Sequence, residues 1–243
     1  MPKNDFTSDP RTACKTQASA DNVPDDTRRR LILAGLAAFD QYGFNGASTR
    51  QIAAEAGTNI SSIAYYFGSK EKLYLAVAEY IAEEVGNMIK EFEDSLGDKI
   101  SLIKAGLLPP EEAIVLLQEV WHQWLRDVLL TEKHTHQWCL FLLREQSNPT
   151  EAFDILYEKG IGRFLETLGH LVGCVEQCPA TSFSVRFHAF LLFGHMLAFE
   201  IKKETMKRFF DWKNIDEKKL RLLTKAINAE IAGLVTSPDS RFS

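Results

Sequence analysis

Thr49 to Leu73 reads TRQIAAEAGTNISSIAYYFGSKEKL, and this stretch decides the fold. Ile52, Ala53 and Ala56 fall on one face of a short helix that Ser48 or Thr49 can cap. Gly57 supplies a bend that a side chain would hinder, and Asn59 can cap a second helix by accepting a free backbone N–H. Ile63 then reaches back onto the first helix, where Ala53 is small enough to let the two cross closely. A small residue, a turn glycine and a branched apolar residue in that order describe a helix-turn-helix.

The second helix leaves Ser61, Ser62, Ala64 and Tyr65 facing outward, with Thr58 and Asn59 at its start. Short side chains there let a helix enter the major groove, where hydroxyls meet base edges and a methyl meets thymine. Thr49, Tyr66 and Lys70 suit phosphate contact by hydroxyl or ammonium, and Ser69 starts a helix whose first amides favour the same anion. Arg28, in the basic trio Arg28–Arg30, lies close enough to add a backbone contact. The bland alternatives are a solvated helix end for the trio and core packing for the aromatics, the latter the better reading for Phe67.

Charge is distributed to match. The 243 residues carry a net charge of -5, which excludes a uniformly basic coat for nucleic acid. Between Thr27 and Lys72, however, six basic side chains face three acidic ones, giving +3, while residues 73–243 carry -6. A basic block on an acidic body fits a protein that touches a polyanion with one end.

Upstream, residues 1–25 are polar with little to bury and are expected to form a disordered tail. A helix starts at Asp25 or Asp26, buries Leu31, Ile32, Leu36 and Phe39, and breaks in QYGFNG at Gly43. Residues 26–72 then form a three-helix bundle that contains the helix-turn-helix. Residues 73–243 read as a larger, wholly helical domain punctuated by LLPPEE, SNPTEAF and CPATSF. Its expected helices include Ser69–Asp94, Thr181–Lys207 and Asp216–Val235. No segment shows strand alternation bounded by hairpin turns, so the fold class is all-α.

Four cysteines in a chain of this length give no disulfide framework, no apolar run is long enough to span a bilayer, and the N-terminus lacks a signal-peptide core. A reduced, soluble cytoplasmic protein is expected, with no membrane partner. His170, Cys174 and Cys178 recur every four residues, but Gly169, Gly173 and Pro179 disfavour a continuous helix through all three and no fourth ligand is evident. Cys174 and Cys178 read as packing residues near a helix end; no metal and no cofactor is expected.

ILAGLAAFDQYGFNGASTRQIAAEAG and YYFGSKEKLYLAV, in that order and with that gap, resemble the DNA-binding domain of the TetR/AcrR family of transcriptional regulators. Thr58 and Ile60 depart from the valine and lysine that many relatives carry there. TNISSIAYYFGSKEKLYLAVAEYIAE and REQSNPTEAFDILYEKGI further resemble the CecR-like branch of that family. The resemblance implies double-stranded DNA with a pseudo-palindromic operator, a small-molecule effector and a homodimer, and a repressor that the effector releases. It also implies that the helix starting at Ser69 carries the signal, through Leu73 to Tyr80.

Phe183, Phe187, Phe190, Leu191 and Gly194 form an apolar band on one late helix, and Leu223 and Ile227 lie on a similar band of the last. Two such helices and their two-fold mates make a four-helix interface, though part of each band must close the monomer core. Trp121, Trp124, Trp138, Phe141 and Tyr157 are candidates for an effector pocket, with Arg144 and His195 as polar contacts. Most aromatics at helical spacing are plain core. Two other classes compete: a helical enzyme, for which no nucleophile–base pair or phosphate-cradling glycine loop is present, and a DNA-coating protein, which would need a basic body.

Overall fold

Helix α1 (Val23–Gly46) opens the computed structural model, which describes residues 23–130 and 135–233. Most of the expected tail therefore lies outside the described residues, as do Cys14, His134, Leu234 and Val235. α1 buries Leu31, Leu36 and Phe39 and kinks at Gly43 (φ 69°), where the sequence predicts its break.

α2 (Thr49–Glu55) is capped by Ser48, whose hydroxyl accepts the Arg50 N–H at 3.3 Å. α3 (Ile60–Tyr66) is capped by Asn59, whose Oδ1 accepts the Ser61 N–H at 3.2 Å. Each cap satisfies a backbone donor that the first helical turn leaves without a partner. Between the two helices Gly57 adopts φ 63°, a left-handed backbone that any residue with a Cβ resists. Ile52, Ala53 and Ile63 are buried where α2 and α3 cross.

α4 (Lys70–Leu96) runs out of this bundle into the body. Its first turns pack Leu73 and Val77 beneath α1, and its later turns send Ile81 and Ile89 inward. The body continues with α5 (Lys99–Lys104), α6 (Pro110–Leu130), α7 (Thr135–Ser147) and α8 (Glu151–Leu156). A π-helical turn, Tyr157–Ile161, joins α8 to α9 (Gly162–Glu176). α10 (Phe183–Ile201), α11 (Lys203–Phe209) and α12 (Glu217–Gly233) complete it. No strand occurs among the described residues.

Two differences from the expected helices have local causes. The helix expected to reach Lys207 ends at Ile201, because Lys202 leaves helical geometry (ψ 21°) before α11 resumes. His170 and Cys174 lie on α9, but Cys178 falls past the helix end, where Gln177 turns left-handed. Cys174 is buried, with its thiol 3.7 Å from the Ile103 carbonyl, so the three do not gather. No cluster of His, Cys, Asp or Glu suited to a metal occurs among the described residues.

The apolar interior has two parts. One joins α1–α4 to Phe141 and Leu142 of α7 and to Ala152 and Leu156 of α8. The other fills the space between α5, α6, α9, α10 and α12. The bundle and the body thus share a core across the boundary expected near residue 72, which makes the junction a packed contact.

Candidate functional site

Outward from the buried Ile63, α3 presents Ser61, Ala64 and Tyr65 to solvent, and Tyr65 is 82% exposed. Its ring meets that of Tyr66 edge-on at 4.9 Å. A large aromatic held this far from any core contributes little to folding. Thr58 and Ser62 pair their hydroxyls at 2.8 Å, so the two stiffen the start of α3. Asn59 spends its side-chain oxygen on the cap, and Tyr66 packs in part against the bundle core.

The basic residues divide their labour. Arg30 donates to the Ala56 carbonyl at the end of α2 (2.9 Å) and pairs with Asp26 (3.2 Å), which fixes α1 against the turn. The Arg28 guanidinium lies over the Phe67 ring at 5.6 Å, and the Lys70 ammonium lies over Phe44 at 4.7 Å. Burial, then the Glu84 charge, raise the Tyr80 pKa. Ser69 caps α4, accepting the Lys72 N–H at 3.3 Å. That hydroxyl also helps hold the Glu71 carboxyl below its usual range. Thr49, in the first turn of α2, is partly exposed. Arg28, Ser61, Ala64 and Tyr65 are exposed, and Thr49 and Lys70 are partly exposed.

Inside the body lies a cavity of about 210 Å³. Its walls come from α4, α6, α7, the π-helical turn, α9 and α10, and its aromatic residues are Phe92, Trp124, Trp138, Phe164 and Phe193. Of the pocket residues expected from sequence, Trp124 and Trp138 line it. The other five lie elsewhere. Trp121 is 1% exposed and turns toward α10 and α12, Phe141 packs on the Tyr74 ring (4.6 Å), and Tyr157 is 49% exposed. Arg144 donates to the Asp40 carbonyl of α1, and His195 lines a groove between α10 and α12. The lining residues that sequence reasoning missed include Phe92, Phe193 and Met196. For Phe92 a signal existed, since Val85, Met88, Ile89 and Phe92 recur at three- and four-residue spacing.

The cavity is dry in its chemistry. Gln123, Asp127, Thr135, Cys139 and Thr167 are its polar or ionisable residues, together with two indole N–H groups. The Trp124 N–H donates to the Met196 carbonyl at 3.4 Å, and the Trp138 N–H is buried with no acceptor among the described residues. Burial, then the Glu200 charge, push the Cys139 thiol up to about 12. Gly160 closes the wall against α4, because a Cβ there would lie 3.2 Å from Ala82 Cα.

On the outer face of α10, Phe183, Phe187, Phe190, Leu191 and Gly194 are exposed, and the first two rings stack at 5.8 Å. Leu223 is instead buried within the chain, and Ile227 is half-buried along the groove beside α10. α12 must close the body against α6, which accounts for Leu220, Leu223 and Ile231 lying inside. Phe209 and Phe210 of the α11 region are also exposed. No helix among the described residues is long and apolar enough to cross a membrane.

Residues 31–77 match the family described as bacterial regulatory proteins, tetR family. Residues 113–234 match the C-terminal domain of the HTH-type transcriptional dual regulator CecR. A CecR protein of Shigella flexneri is 35% identical over 209 residues, which span 85% of this chain and 90% of that protein. The transcriptional repressor NicS of Pseudomonas putida is 30% identical over 118 residues, 46% of this chain and 50% of its own. Among solved structures, the regulator FadR of Bacillus subtilis, in complex with stearoyl-CoA, superposes with a TM-score of 0.57 at 17% identity. That match covers 84% of this chain and 97% of the other and shows the shared fold.

Proposed function

The chain belongs to the TetR family of bacterial regulatory proteins, on its CecR-like branch, and from that premise we propose how it works as a DNA-binding transcriptional regulator. It is a regulator and not an enzyme. α3 enters the major groove, with Tyr65, Ser61 and Ala64 on base edges and Thr49, Lys70 and Arg28 on the phosphates. The observation that carries this reading is the contrast within one helix, where Ile63 is buried and Tyr65, two residues on, is 82% exposed.

Two copies join through the outer face of α10, with Phe183, Phe187, Phe190 and Leu191 at the centre. Two-fold symmetry then sets two α3 helices on half-sites roughly 34–36 Å apart, which is one turn of DNA. The cavity holds the effector, and the protein is a repressor that the effector releases. A ligand acts only through different affinities for the two arrangements of the heads. α4 starts at the bundle and α7 packs against it, and both line the cavity, so they carry the shift, with Leu73 to Tyr80 of α4 nearest the reader.

Fluorescence anisotropy on duplexes tiling the upstream region, across a salt series, tests the reading. Saturable binding to one inverted repeat, weakened in Tyr65→Ala with relaxed sequence preference, is expected. Equal affinity for every duplex would overturn sequence-specific regulation.

A further inference from the structure

We propose that the cavity selects an uncharged aromatic compound of on the order of a dozen or more non-hydrogen atoms, excluding anions and cations alike. This rests on the reading of the cavity as the effector site and names its ligand class. Size follows from the volume of about 210 Å³.

Neutrality follows from the wall. Among the described residues the lining contains no lysine, arginine or histidine, so a carboxylate, sulfonate or phosphate would enter without a counter-ion. Its acid, Asp127, is buried and has a partner within the protein, so a cation would have to compete for that carboxylate. A charge moved from water into such a site keeps its desolvation cost without a return. The high pKa of the Cys139 thiol reports the same property from within the wall, since burial there already disfavours a negative charge.

Aromaticity follows from the five rings. Phe164 and Phe193, both in the wall, meet at 5.9 Å with an interplanar angle of 59°. Rings set at steep angles offer both faces and edges to a planar guest, which suits offset and edge-to-face stacking. A flexible chain would gain area without that geometry.

The test uses the full-length protein and three probes built on the naphthalene ring. These are neutral N-phenyl-1-naphthylamine, its 8-sulfonate, and 1-naphthyltrimethylammonium. Binding is read from tryptophan quenching and, for the first two, from probe emission. The neutral probe is expected to bind once per chain, at least tenfold more tightly than either ion. Val85→Trp and Val120→Trp, which fill the cavity from two different walls, should each abolish it. Circular dichroism identifies a variant that does not fold, and the other variant then decides. Equal or tighter binding of either ion overturns the proposal, and so does neutral binding that survives filling.

Anisotropy on the operator duplex separates this from the function it rests on. Release by the neutral probe supports both. Binding in the cavity without any change in DNA affinity keeps the ligand class and removes the effector role. Release by an ionic compound that the filled variants no longer obey keeps the effector role and overturns the ligand class.

Discussion

The phenolic oxygen of Tyr74 donates to Glu145 Oε1 at 2.6 Å, tying α4 to α7 across 71 positions of chain. Glu145 is 2% exposed, and its other oxygen accepts both the N–H (3.0 Å) and the hydroxyl (2.8 Å) of Thr150. Its neighbour Arg144 reaches the Asp40 carbonyl. One turn at the end of α7 thus holds α1, α4 and the start of α8, at the seam between the reading head and the body.

Tyr74→Phe should cost about 1–2 kcal/mol at pH 7, since it removes a buried bond to a carboxylate and leaves one oxygen of Glu145 short of a donor. Burial, with the Glu145 hydrogen bond and charge behind it, raises the Tyr74 pKa above its ordinary value. A raised folded-state pKa gives stability that is complete below the unfolded value of about 10 and is lost as pH climbs toward the folded one. Urea unfolding at pH 7, 9 and 11 should show the wild type losing stability more steeply above pH 10 than Tyr74→Phe. Parallel curves would remove Tyr74 from the alkaline transition.

Tyr65→Ala and Ile63→Ala should separate reading from folding. The first should leave stability within about 0.5 kcal/mol and weaken operator binding about tenfold, with relaxed sequence preference. The second should cost about 2–4 kcal/mol by opening a cavity between α2 and α3. Thermal melts and anisotropy on the same preparations give both numbers. A large stability loss in Tyr65→Ala would mean that the ring is structural.

Phe183→Glu with Phe190→Glu should leave the fold intact, because both rings are exposed, and should yield a monomer in sedimentation velocity. Operator affinity should then fall to that of a single half-site. A double variant that stays dimeric would move the interface away from the outer face of α10.

Cys139 should resist alkylation in the native protein. With a pKa of about 12, its thiolate fraction at pH 8 is about one in ten thousand. Iodoacetamide followed by peptide mass mapping should find, among the cysteines of the described residues, the half-buried Cys178 modified before Cys139, which should react only in urea.

The helix-turn-helix was legible because each of its signals is local. Ala53, Gly57, Asn59 and Ile63 act within a few residues of one another, and the structure puts each in the role that its chemistry suggests. The cavity was less legible because α6 and α7 are covered on more than one side. Trp121 and Trp124 lie three residues apart and both are apolar, yet one turns to α10 and α12 and the other to the cavity. Periodicity identifies a face, not the neighbour that will cover it. Glu145 gave no signal, because an acid late in a helix reads as solvated and its partner lies far along the chain. The α12 band was ambiguous for the same reason, since an amphipathic stripe fits a core or a second copy equally well.

The π-helical turn at Tyr157–Ile161 has a consequence for how this chain tolerates changes in length. Each residue of a regular α-helix advances the direction of the side chains by about 100°. An insertion within α9 would therefore swing Phe164, Leu168 and Leu171 off the wall they now form. A wide turn absorbs one surplus residue locally, so the helix on either side keeps its phase. A homologous chain one residue shorter there could close the turn into ordinary helix and still build the same walls.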